Sequence, residues 1–334
     1  MKSSQDILQD TFERKHSYLR ISLTEKCNLR CTYCMPEAGI PLTPMRHLMN
    51  SEELYTIAKT FVDLGVNKIR LTGGEPLVRK DFKDILHQLS TLPVTLSITT
   101  NGVLIDKYIK DLQQANMQNI TISLDSLKQE KFKQITRRDE FQKVKENIDL
   151  LLAYNFKVKI NVVLIKGFND DEIIDFINLT KNTPINVRFI EFMPFDGNQW
   201  NREKLVPHKQ VLDIIYATYP LQVNKLTDAP NDTSKNYTIT DFKGSFGLIS
   251  SITNPFCDTC NRIRLTADGK IKNCLFSGDE LSLLEPLRDG KNIVPIIKKA
   301  IANKKFARAG MDTPEKIDNP ELHTANRSMI SIGG

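Results

Sequence analysis

The 334-residue chain is poor in several residue types, and each scarcity excludes something. It has one tryptophan and five histidines, His16, His47, His87, His208 and His323. No run of eighteen apolar residues occurs, so we expect no membrane span. Met1 to Lys15 is polar and charged, without an apolar stretch, so we expect no secretory signal and a reducing, cytoplasmic setting. No dense Lys/Arg run and no basic patch interleaved with aromatics is present, so nucleic acid is not the expected partner. Low-complexity tracts are also missing. What remains is ordinary for a globular chain: 40% hydrophobic, 26% charged, and long enough for one large domain or a large and a small one. The net charge of +6 fits either plain solubility or an anionic ligand such as a nucleotide phosphate.

Six cysteines are present, in two groups of three. Cys27, Cys31 and Cys34 form C-x3-C-x2-C; Cys257 and Cys260 form C-x2-C, and Cys274 follows after thirteen residues. Disulfides pair cysteines by twos, so a local triplet leaves an odd one. A closed structural zinc site wants four ligands, and no histidine lies within ten residues of either group. Three thiolates suit a [4Fe-4S] cube, which has four irons and would keep one open to a non-protein guest. Zinc with a distant fourth ligand and merely buried thiols remain as alternatives.

Six short runs rich in Ile, Val, Leu or Thr read as strands: Tyr18–Leu23, Asn67–Thr72, Val94–Thr99, Asn119–Leu124, Lys157–Ile165 and Asn186–Phe192. Helical periodicity fills Ser51–Leu64, Lys80–Leu92, Ile105–Met117, Asp139–Tyr154 and Asp170–Lys181. Ser51 suits an N-cap and Gly65 a C-terminal stop. This alternation predicts an α/β fold with a parallel sheet, an incomplete (βα)6 TIM-like barrel. Strand ends then carry the chemistry. The cysteine loop follows the first strand, Gly73-Gly74-Glu75-Pro76 the second, and Thr99-Thr100-Asn101-Gly102 ends the third. Ser123-Leu124-Asp125-Ser126 ends the fourth and Glu191-Phe192-Met193-Pro194 the sixth, while the fifth carries Lys159. Beyond about residue 200 the pattern changes. Lys225–Lys235 reads as a loop and Tyr237–Ile252 as a strand pair. We expect residues 1–200 to form the partial barrel, and 201–334 a smaller C-terminal module that carries the second cysteine group and faces the mouth.

C-x3-C-x2-C after a first strand, with Tyr33 beside the last cysteine and G-G-E-P after the second strand, resembles the radical S-adenosylmethionine superfamily. The second triplet, Arg262 and Arg264 just after its first pair, and the terminal Gly333-Gly334 narrow the resemblance to its molybdenum cofactor biosynthesis, GTP 3′,8-cyclase branch. That resemblance runs from Arg20 to Gly334. It implies two [4Fe-4S] clusters, one on Cys27, Cys31 and Cys34 and one on Cys257, Cys260 and Cys274. It implies S-adenosyl-L-methionine contacts at Tyr33, Gly74, Ser123 and Met193. It implies GTP contacts at Arg20, Arg70, Thr99, Lys159, Arg262 and Arg264, with Gly333 and Gly334 entering the site. A radical from the cofactor would take hydrogen from C3′ of the ribose, and the resulting carbon radical would attack C8 of guanine. The product would be (8S)-3′,8-cyclo-7,8-dihydroguanosine 5′-triphosphate, with no catalytic side chain assigned. An external electron donor, a homodimer and a partner enzyme, cyclic pyranopterin monophosphate synthase, are implied as well.

Each assignment has a plainer competitor. Arg20 and Arg70 on strands could face solvent. Met193 could be core packing. Ser123 and Thr99 could be caps or turn residues, and Thr100 could replace Thr99 as the contact. The Gly-Gly end could be a loose terminus. Two other functions compete: a peptide-modifying radical enzyme of the same architecture, and a non-catalytic electron carrier or zinc scaffold.

Overall fold

A computed structural model describes residues 8–35 and 39–333. The six expected strands all form: β1 Tyr18–Ser22, β2 Lys68–Thr72, β3 Thr95–Thr100, β4 Asn119–Ser123, β5 Lys157–Leu164 and β6 Asn186–Glu191. Later strands are β7 Val223–Lys225, β8 Lys235–Ile239, β9 Ser245–Ile249, β10 Arg262–Leu265, β11 Lys270–Lys272 and β12 Leu281–Ser282. Helices α1 Ser51–Asp63, α2 Phe82–Ser90, α3 Ile109–Gln114, α4 Gln129–Thr136, α5 Phe141–Ala153, α6 Ile173–Asn182 and α7 His208–Thr218 connect the first part of the chain.

All twelve strands share one sheet, ordered β12-β11-β10-β1-β2-β3-β4-β5-β6-β9-β8-β7. β1 to β6 pair in parallel and in sequence, the pattern of an incomplete βα barrel. The C-terminal chain extends this sheet at both edges. β9 runs parallel beside β6, and β10 parallel beside β1. The predicted strand pair is β8 and β9. The stretch expected as a loop from Lys225 differs at its start, because Lys225 pairs with Tyr237 as the end of β7.

Strand alternation sorts the two faces of the sheet. Leu19, Ile21, Ile69, Leu71, Ile98, Ile120, Ile122, Ile160, Val187 and Phe189 are buried, in one core with Leu54, Ile57 and Phe61 of α1 and Phe82 and Ile85 of α2. The register puts the odd-one-out positions together on the other face: Arg20 lies beside Arg70 and Arg264, and Thr121 between Thr99 and Lys159. One face is aliphatic and the other is polar and cationic.

Local chemistry explains both ends of α1. α1 starts as expected at Ser51, but its N-cap is Asn50, not Ser51. Asn50 accepts from Glu53 N–H while the Glu53 carboxylate accepts from Asn50 N–H, a reciprocal capping box that serine one place later would not complete. Gly65, at φ +101°, ends it. The predicted 105–117 helix is broken at Tyr108 into a short 3-10 turn and α3. α4 is an unexpected extra helix between β4 and β5, with only Phe132, Ile135 and Thr136 buried.

Candidate active site

The helix that the sequence hides positions the first cysteine group. The last turn of any helix leaves carbonyls without partners. In α4 two of these, on Ile135 and Thr136, accept from Thr32 N–H and Arg30 N–H at 2.9 Å each. Cys34 N–H in turn donates to the Cys31 carbonyl at 3.0 Å. The loop is also held from β2. Gly74 N–H donates to Thr24 O at 2.7 Å, and Glu75 N–H to Lys26 O at 2.8 Å. A Cβ on Gly73 would stand 2.7 Å from the Thr24 carbonyl, and one on Gly74 would strike that of Lys26. The two glycines therefore permit close approach to the chain's own backbone just before Cys27.

Two buried carboxylates tie the strand ends together. Glu75 accepts from Thr100 Oγ1 at 2.7 Å, Asn101 N–H at 2.7 Å and Leu77 N–H at 3.1 Å. Burial pushes its carboxyl up to about 7 despite those donors. Asn101 donates to Asn28 Oδ1 at 2.7 Å and reaches Cys27 Sγ at 3.8 Å. Asp125 accepts from Tyr33 Oη and from Val163 N–H, each at 2.8 Å, and burial raises it to about 6. Neither carboxylate role was assigned from sequence, although both residues stood in the strand-end motifs.

A cavity of about 300 Å³ opens at this end of the strands. All six cysteines line it, with Arg20, Thr99, Arg262 and Arg264. Tyr33, Gly74, Ser123 and Met193 line it too, beside the first group or across from it. Gly333 closes in from the C-terminus: its carbonyl accepts from Arg264 Nη1 at 2.6 Å, and a Cβ there would meet Thr72. Gly334 lies outside the described residues. Thr100 lines the cavity as well, but its hydroxyl is committed to Glu75, whereas Thr99 Oγ1 accepts from Arg70 at 3.0 Å.

Arg70 and Lys159 line a second cavity, of about 710 Å³, toward the opposite end of the same strand face. Arg70 is buried and also donates to Thr121 Oγ1 at 2.8 Å and Tyr18 Oη at 2.5 Å. Burial depresses Lys159 to about 7, helped by Arg188, Arg70 and Lys68. Tyr18 is the opposite case. Burial raises its phenol, but Arg70, Arg20 and Lys68 outweigh that and bring it to about 7. Lys68, Arg188 and Tyr18 were missed from sequence. Their signal was parity: Tyr18 and Lys68 stand two residues before Arg20 and Arg70, hence on the same face.

The six thiols have the state that iron–sulfur ligation requires. All six are free. Burial raises Cys27 to about 11 and Cys34 to about 12, and lifts Cys31 well above the usual thiol range, with neighbouring thiolates opposing ionisation of Cys31 and Cys34. Metal binding relieves both burdens, because the ligand is the deprotonated thiolate. Among the described residues no three His, Cys, Asp or Glu gather tightly enough to hold a single ion. In the second group, burial raises Cys257. Burial also opposes ionisation of Cys260, but Arg262 and Lys304 outweigh it and bring that thiol down to about 6.

A parallel partial barrel with three thiols after its first strand and a glycine pair after its second defines the radical S-adenosylmethionine class. The family model for the radical SAM superfamily matches residues 21–180, and that for molybdenum cofactor synthesis, C-terminal part, matches residues 185–309. An Arabidopsis thaliana protein named GTP 3′,8-cyclase, mitochondrial, is 50% identical over 98% of this chain and 84% of its own length. A Limosilactobacillus fermentum GTP 3′,8-cyclase is 40% identical over 98% and 99%. Molybdenum cofactor biosynthesis protein 1 of Drosophila melanogaster is 49% identical over 90% of this chain, which spans 54% of that protein. Streptococcus suis SuiB bound to S-adenosylmethionine shares the fold, with TM-score 0.60 and 14% identity over 95% of this chain and 77% of SuiB. The chain belongs to the GTP 3′,8-cyclase family of radical SAM enzymes. No helix among the described residues is long and apolar enough to cross a membrane.

Proposed function

We propose that this protein converts GTP to (8S)-3′,8-cyclo-7,8-dihydroguanosine 5′-triphosphate, the first step of molybdenum cofactor biosynthesis. One observation carries the reading: both thiol groups open into one cavity at the end of a strand face lined with cations. Cys27, Cys31 and Cys34 would hold one [4Fe-4S] cluster, and Cys257, Cys260 and Cys274 a second. S-adenosylmethionine bound at the first cluster supplies a hydrogen-abstracting radical. Tyr33, Gly74, Ser123 and Met193 would seat that cofactor, with Asp125 fixing the Tyr33 hydroxyl.

The chain's own work is binding and orientation. Arg20, Arg70 and Lys159, with Lys68 and Arg188, offer an anionic triphosphate a set of donors already desolvated by the fold. Each charge-assisted hydrogen bond is worth ~1.5–3 kcal/mol. Thr99, with Arg262 and Arg264 of β10, lines the same cavity as the cysteines. Gly333 and Gly334 would close the site against water, with Arg264 as the anchor for Gly333.

The division near residue 200 is supported by the gap between the two family models, at 180 to 185, although the sheet continues across it. A homodimer, an external one-electron donor and consumption of the product by cyclic pyranopterin monophosphate synthase rest on the family resemblance, and a cytoplasmic location belongs to the same proposal. The test is an anaerobic assay of reconstituted protein with S-adenosylmethionine, reductant and GTP. We expect 5′-deoxyadenosine and the cyclised nucleotide in step. Deoxyadenosine formed at the same rate without GTP would overturn the reading, and zinc in place of iron and sulfide would favour a scaffold.

A further inference from the structure

A buried lysine stands behind the second cysteine group. Lys304 follows the helix Val294–Ala302 and is 4% exposed. Its ammonium donates to Cys260 Sγ at 3.4 Å and to the Arg262 carbonyl at 2.8 Å. One side chain thus bridges a thiol to the first residue of β10, the strand that carries two of the cavity arginines.

The seat of this lysine is built from the far end of the chain. Lys304 N–H donates to Ile301 O at 3.1 Å, closing the helix. The next two carbonyls, on Lys305 and Phe306, accept from Arg14 at 3.0 and 2.7 Å. Arg14 Nη1 also donates to the Cys257 carbonyl at 2.6 Å, and its Nε is held by Asp10 at 2.7 Å. Arg14 therefore fixes the 304–306 segment and the Cys257 backbone as one unit. The first cysteine group has a different arrangement: among the described residues, Cys27 Sγ accepts from neutral donors, Leu29 N–H at 3.4 Å and Asn101 Nδ2 at 3.8 Å.

We propose that Lys304 is a positioning residue for the iron–sulfur cluster of the second group, holding Cys260 against β10 and raising the reduction potential of that cluster. The proposal rests on the reading that Cys257, Cys260 and Cys274 carry a cluster. Reduction adds one negative charge to the cluster and its thiolates. A fixed ammonium against a ligand sulfur, in a buried site, stabilises the reduced form more than the oxidised one. A hydrogen bond to the sulfur acts in the same direction.

The test is an EPR-monitored redox titration of reconstituted holoenzyme, with the first cluster in the same molecule as reference. Lys304→Met removes donor and charge at similar length, and Lys304→Arg keeps both. We expect the second-cluster midpoint of Lys304→Met to fall, lowering its reduced-to-oxidised ratio about tenfold at fixed poise, which is ~59 mV for one electron. The first-cluster midpoint should stay in place, and Lys304→Arg should restore most of the shift. A Lys304→Met protein that keeps both clusters with the second midpoint unmoved overturns the proposal. Equal loss of the second cluster from both variants also overturns it, because packing rather than the donor would then be at stake. Iron and sulfide for a single cluster in the parent protein would instead remove the two-cluster reading beneath it.

Discussion

The two cysteine groups have the same count and opposite surroundings. Cys27, Cys31 and Cys34 sit among buried acids: Glu75 pushes Cys27 up, and Asp125 pushes up Cys31 and Cys34, each adding to burial. Cys260 sits among cations, and Arg262 and Lys304 pull it down. Three thiols by themselves do not specify a task. The flanking charge does, since a cluster ringed by acids resists an added electron and, once reduced, gives it up readily, whereas one ringed by cations keeps it. The proposed roles, one cluster donating an electron and the other holding substrate, call for that difference.

The largest test of this contrast is to remove one thiol from each group. Cys31→Ser should abolish 5′-deoxyadenosine formation altogether. Cys260→Ser should abolish the cyclised nucleotide yet leave the first group able to load iron, read by EPR. Identical phenotypes, with neither cluster formed in either variant, would collapse the two groups into one structural unit. Next come the cations of the strand face. Lys159→Met or Arg264→Met should lower kcat/KM for GTP by roughly 10- to 150-fold, the equivalent of one charged hydrogen bond of ~1.5–3 kcal/mol. S-adenosylmethionine binding, followed by calorimetry, should be unchanged.

A smaller effect separates the groups by packing. Gly74→Ala drives a methyl into the Lys26 carbonyl, so the loop must shift at a cost of about 1–3 kcal/mol. Iron loading should fall at the first group and persist at the second. The smallest effect is in pH. The Glu75 carboxyl is raised from 4.5 to about 7, so its contribution to stability is complete below 4.5 and is lost as pH rises through 7. The His16 imidazole is lowered from 6.5 to about 4, mainly by burial and then by Lys304, so its contribution is complete above 6.5 and is lost as pH falls through 4. In metal-free protein, protection factors, which remove the intrinsic pH dependence of amide exchange, should therefore fall around residues 75–77 on going from pH 5 to 8, and around residues 8–16 on going from pH 7 to 4. Parallel behaviour in both segments would contradict the opposed electrostatics.

Much of this contrast was legible in the sequence, and the missing parts have physical reasons. Six strands and both thiol groups could be read because β-branched runs and cysteine spacing are local signals. α4 was not, because only Phe132 and Ile135 mark its apolar stripe among Gln129, Lys131 and Lys133. Its job is also non-local, as it ends where the cysteine loop needs two acceptors. The pairing of β10 with β1 was invisible for the same reason, since no periodicity links strands nearly a whole chain apart. Lys68, Arg188 and Tyr18 were readable in principle from alternation. Alternation alone does not say which face of a strand is the polar one, and no strand-end motif marks these three. Thr99 and Thr100 could be told apart only once the Glu75 carboxylate was seen to engage Thr100.

The β10–β1 pairing has a further consequence, for the time course of synthesis. A ribosome delivers β1 and the first three cysteines early, while the strand that flanks β1 on its open edge arrives only near the end of the chain. Until then β1 offers an unpaired edge, and contacts spanning so much sequence form slowly. The nascent protein thus passes through a stage in which Cys27, Cys31 and Cys34 exist without their roof. Iron delivered at that stage would meet a half-built site open on the side where β10 will later lie.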